Sequence, residues 1–121
     1  MAQDTNALLR AAAAGNLTAD ETLTDFDLGP MTQPMYLHVL VPAVSASDSL
    51  VVTADFENAS NTTLMQASLP SITAAGLYTL PIFCDKPTLT DLSVILDVTL
   101  VGSAAGNFGA VEVWLSTSPL S

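Results

Sequence analysis

The sequence predicts an all-β fold, an antiparallel β-sandwich of about seven to eight strands preceded by a short N-terminal arm or helix. Two observations carry this reading. From Glu21 onward, apolar residues alternate with polar ones in short runs, the period-two pattern of half-buried strands. Between the runs stand clusters of Gly, Pro, Asn, Asp and Ser, the residues that turns require. No internal repeat, heptad or low-complexity tract points to a solenoid or coiled coil.

The elements follow in order. Residues 1 to about 17 carry the one helical signal, because Ala7, Leu8, Arg10 and the run Ala11 to Ala14 favour helix and Gly15-Asn16 is a stop. So short a helix is marginal alone, and Leu8, Leu9 and Leu17 are too few to build a core. Residues 1–20 are therefore expected to form an arm lying outside a β domain that spans residues 21–121. Leu23 to Leu28 is the first expected strand, ended by Gly29-Pro30, and Met35 to Val41 is the next, ended by Pro42. Leu50 to Glu57 places Leu50, Val52, Ala54 and Phe56 on one face. Asn58-Ala-Ser-Asn61 then joins it to Thr62 to Leu69 as a hairpin. Gly76 to Cys84, Leu92 to Val101 and Ala110 to Ser116 complete the set. Pro81 cannot donate to a ladder, so its strand is expected at a sheet edge or at a bulge.

Composition limits function. The 121 residues make one domain, half of them hydrophobic and only 12% charged, with a formal charge of -10. Arg10 and Lys86 are the only basic residues, so no stripe exists to neutralise a phosphate backbone, and direct nucleic-acid binding is not expected. The acidity itself is what keeps a chain of few charges soluble. Every apolar run is shorter than the roughly 18 residues of a membrane helix. Met1 to Asn6 lacks a basic leader, so synthesis in the cytoplasm is expected, and the sequons at Asn16, Asn58 and Asn61 are then chance matches.

No catalytic or metal constellation emerges, and neither a cofactor nor a metal is expected. His38 is the only histidine and Cys84 the only cysteine. Zinc sites of four thiolates, or of two thiolates and two imidazoles, are excluded by counting. Cys84 reads as a buried structural thiol, and His38 as a half-buried or surface strand residue. No Gly-x-Ser-x-Gly elbow is present, and the glycine-rich connector Gly102 to Gly109 lacks the Lys-Ser or Lys-Thr of a phosphate loop. Asp25 with Asp27, and Asp55 with Glu57, have the spacing of paired carboxylates, but polar-out alternation explains both. Trp114, the sole tryptophan, is either an exposed contact residue or packed under a loop. What remains is a binding surface, with Leu8, Leu9, Leu17 and Trp114 as the candidate protein-interaction residues.

Several segments resemble the cement, or decoration, proteins of tailed bacteriophage capsids, especially those of the Bordetella-phage type. They are Asp25-Phe-Asp-Leu-Gly29, Met35-Tyr-Leu-His-Val-Leu-Val41 and Ser49-Leu-Val-Val-Thr-Ala-Asp-Phe-Glu-Asn58. Ala74-Ala-Gly-Leu-Tyr-Thr-Leu-Pro-Ile82 and Gly106-Asn-Phe-Gly-Ala-Val-Glu-Val-Trp-Leu115 continue the layout. The resemblance implies a jelly roll, non-enzymatic and homo-oligomeric, as a homodimer or other homo-oligomer, on the outside of the virion. Its partner would be the major capsid protein, whose neighbouring subunits it would bridge to stabilise the shell. The competing reading is a carbohydrate- or receptor-binding sandwich of a phage tail or head fibre, with Tyr36, Tyr78 and Trp114 as aromatic platforms for sugars.

Overall fold

The structure, a computed structural model, describes residues 8–27, 35–44, 48–57, 63–82, 95–102 and 107–116, the side chains of Asp25, Asp27 and Leu64 excepted. Eight strands run through them: β1 (Leu8–Arg10), β2 (Glu21–Asp27), β3 (Met35–Val41), β4 (Leu50–Glu57), β5 (Thr63–Ser68), β6 (Gly76–Ile82), β7 (Ile95–Gly102) and β8 (Glu112–Ser116). First pairs with last throughout: β1 with β8, β2 with β7, β3 with β6 and β4 with β5, all antiparallel. Successive pairs fall in alternate sheets, ordered β1-β8-β3-β6 and β2-β7-β4-β5. An antiparallel ribbon wrapped on itself in this way is a jelly roll.

Alternation along the strands decides what enters the core. Leu37, Val39 and Val41 of β3, with Val113 and Leu115 of β8, face Leu50, Val52, Ala54 and Phe56 of β4 and Leu96, Val98 and Leu100 of β7; all are buried. Leu17, Leu69, Ile72 and Phe108 close one end. In β2 strict alternation would put Leu23 and Phe26 on opposite faces. A bulge between them advances β2 by one extra residue, so that Leu23 lies opposite Val98, Phe26 lies opposite Leu96, and both pack on the core. The Leu50–Glu57 hairpin partner is Thr63–Ser68, as expected, although the connecting Asn58 to Asn61 lies outside the described residues. Pro81 does lie on an edge strand, since β6 ends its sheet. Cys84, Lys86 and Leu92 to Val94 also lie outside the described residues.

The N-terminal expectation needs correction. Among the described residues of the expected helical arm, Leu8–Arg10 is a strand on β8, and helix is limited to one 3-10 turn, Ala12–Ala14, stopped at Gly15 with φ of 87°. Leu17 is 1% exposed. Its N–H donates to the Gly109 carbonyl at 2.8 Å, and its own carbonyl accepts from the Phe108 N–H at 3.1 Å. Helix propensity differs between residues by only tenths of a kcal/mol, whereas burying one leucine contributes about 1.5–3 kcal/mol. Tertiary burial therefore overrides the alanine run.

Arg10 fastens this segment across the sandwich. Its guanidinium donates to both carboxylate oxygens of Glu21 at 3.1 Å and to the carbonyls of Gly15 at 3.2 Å and Val111 at 2.7 Å. β1 of one sheet is thereby tied to β2 of the other, and the buried cation has a partner on every side it presents.

Candidate functional site

With the inner faces committed to the core, any binding surface of the strands is an outer face, and the two outer faces differ in chemistry. On the β1-β8-β3-β6 sheet, register sets one row across all four strands: Leu8, Trp114, His38 and Thr79. Tyr36 flanks it, opposite Pro81 and Ser116, and Leu40 flanks the other side, opposite Leu77 and Glu112. Leu8, Tyr36 and Leu40 are half-buried, Pro81 is exposed, and Leu77 is 50% exposed.

His38 is fully buried at the centre of that row, which corrects the expected half-buried or surface position. It belongs to the outward set of β3, yet its ring stacks on Trp114 with centroids 5.4 Å apart and planes inclined by 26°. Nδ1 lies 3.0 Å from the Thr79 hydroxyl and Nε2 lies 2.7 Å from the Ser116 hydroxyl. A hydroxyl donates or accepts, so either neutral tautomer is satisfied. Ser116 and His38 have the spacing of a nucleophile and its base. Among the described residues, however, the third partner is a threonine hydroxyl where a triad needs a carboxylate to stabilise the imidazolium. The arrangement is a polar clamp joining β8, β3 and β6.

Trp114 is 7% exposed, which resolves its alternatives in favour of packing, and its indole N–H is buried with no acceptor among the described residues. Of the four candidate interaction residues, register brings Leu8 and Trp114 together on this face. Leu9 packs against the core and Leu17 lies within it. The chain meets no family model, no curated protein and no solved structure that matches it.

The outer face of the β2-β7-β4-β5 sheet carries mainly hydroxyls and carboxylates, with Val51 opposite the exposed Val101 toward one end. Thr22, Thr99, Thr53 and Ser68 form one row, and Asp55 stands directly opposite Asp97, with Glu57 next along β4. Like charges directly opposed destabilise a ladder, and one Asp55 carboxylate oxygen is also buried without a donor among the described residues. Among the described residues no group of three His, Cys, Asp or Glu side chains could hold a metal ion. No helix among them is long and apolar enough to cross a membrane.

The face residues that sequence reasoning missed are Leu40, Leu77 and Pro81. Leu40 was visible as an apolar residue in the outward set of β3, but the alternation of β3 is apolar on both sides, so it did not stand out. The exposure of Leu77 depends on β6 being an edge, which the position of Pro81 suggested.

Proposed function

We propose that this chain is a structural virion protein, a jelly-roll module that binds the outside of an icosahedral phage capsid and bridges neighbouring major capsid subunits. The observation that carries the reading is the division of its surface between an apolar, aromatic sheet face and a face of carboxylates and hydroxyls. A decoration protein needs one face to adhere and another to meet solvent. The segments resembling phage cement proteins supply β3, β4, β6, β8 and the end of β2, and the jelly roll is the fold that the resemblance implies. Bridging two subunits from one oligomer makes the second contact effectively intramolecular, so contacts that are weak singly are retained together.

The sugar-binding alternative is less well supported. Tyr78 packs against the core with its hydroxyl donating to the Ala74 carbonyl, and Trp114 is buried against His38, so two of the three aromatic platforms are occupied.

The test is co-sedimentation of the purified chain with shells assembled from the major capsid protein encoded in the same genome, before and after expansion. Saturable binding at a fixed ratio to capsid subunits, with a rise in the shell's melting temperature, is expected. Failure to sediment with either form overturns the reading.

A further inference from the structure

We propose that the outer face of the β1-β8-β3-β6 sheet is the surface that docks on the shell, and that its occupant is an uncharged, apolar segment of the capsid subunit that presents a backbone carbonyl to the Trp114 indole N–H. This rests on the decoration reading and adds to it the face, the orientation and the chemistry of the contact.

Three observations converge. Leu8, Tyr36 and Leu40 on the strands flanking Trp114, with Leu77 and Pro81 one strand further on, share its face, and Leu77 is one of only two large hydrophobic side chains exposed among the described residues. Glu112 is the sole carboxylate of that face among the described residues, whereas Asp55, Glu57 and Asp97 share the opposite one. In a chain of formal charge -10, the least charged face is the one that can approach another protein with little repulsion. The acidic face is then turned outward. Finally, the Trp114 N–H is buried without an acceptor among the described residues. Buried donors are nearly always satisfied, and an orphan costs free energy that an incoming carbonyl recovers once neighbouring side chains part to admit it. An apolar segment with a free carbonyl answers both features of the face, whereas a charged one would lose its hydration against leucine.

The experiment measures binding of full-length variants to the same shells, with melting temperatures confirming that each folds. Leu77→Glu places a charge on the proposed face, and Val101→Glu places one on the opposite sheet at the other exposed hydrophobic residue. Trp114→Phe removes the N–H while keeping a ring. We expect Leu77→Glu to weaken binding about tenfold or more, Trp114→Phe to weaken it by roughly three- to tenfold, and Val101→Glu to leave it within about twofold. In wild-type chain carrying 5-fluorotryptophan at Trp114, the fluorine resonance should shift on docking. Equal binding by wild type and Leu77→Glu overturns the assigned face while the decoration reading stands. Loss of binding on Val101→Glu alone assigns the other sheet. A free dimer that Leu77→Glu dissociates, with shell binding unchanged, gives the face to a second copy and also overturns the proposal. No binding by wild type removes both readings.

Discussion

At the scale of single residues, two positions are set by contacts beyond their immediate sequence neighbours. Gly102 ends β7 beneath the fully buried Phe108 ring, and a Cβ there would stand 2.4 Å from Phe108 Cε2. Gly102→Ala is expected to cost about 1–3 kcal/mol, read as a lower denaturant midpoint at unchanged slope, because the ring has no free space into which to move. Arg10 is the second. Its side chain is 2% exposed, while that of Glu21 is 38% exposed. Water already covers part of the carboxylate, so Glu21→Ala should cost about 1–3 kcal/mol rather than the larger loss of a fully buried pair. Arg10→Lys should recover little of the loss seen on Arg10→Ala, since an ammonium cannot span two carboxylate oxygens and two carbonyls at once. Chemical denaturation of the three variants checks this. Neither role was legible beforehand, because a sequence shows the types of Gly102 and Arg10 and not the ring or carboxylate they meet.

Among the elements, the first strand and its connector behave least as local rules suggest. Were residues 1–20 an arm lying outside the β domain, deletion of residues 2–17 would leave that domain's stability unchanged. With β1 closing the edge of β8, Leu17 in the core and Arg10 tied to Glu21, the same deletion should lower the melting temperature by well over ten degrees or prevent folding. Leu17→Ala alone should cost about 3–5 kcal/mol. A truncated chain melting within a few degrees of wild type would show that these contacts contribute little. The other strands were legible to within a few residues because their alternation is strong and because turn formers separate them. Bulges were not legible. The extra residue between Leu23 and Phe26 is visible only once β7 is placed opposite.

For the whole molecule, wrapping first strand to last sets the folding problem. Leu8 must find Trp114, and Glu21 must find Leu100, before the sheets can close. Closing such long loops precedes the gain from contacts, so refolding should take milliseconds to seconds or longer, as for other folds dominated by non-local pairing. Stopped-flow dilution from denaturant, followed by Trp114 fluorescence, measures it directly. Recovery of the stacked environment of the only tryptophan in tens of microseconds would contradict the expectation.

The sequence by itself determined the class of the fold, seven of its eight strands, the hairpin at Leu50–Glu57 and the edge position of Pro81, because each is written in local periodicity or backbone chemistry. Tertiary structure alone decided the rest. The first strand took its conformation from β8 rather than from its alanines, and His38 became a buried clamp because two flanking strands supply hydroxyls and Trp114 covers its ring. Period two states that alternate residues share a face. Which face is core, which faces outward and which residues meet across it depend on pairing between strands as far apart as Leu8 and Trp114, and that information lies in no short window of the chain.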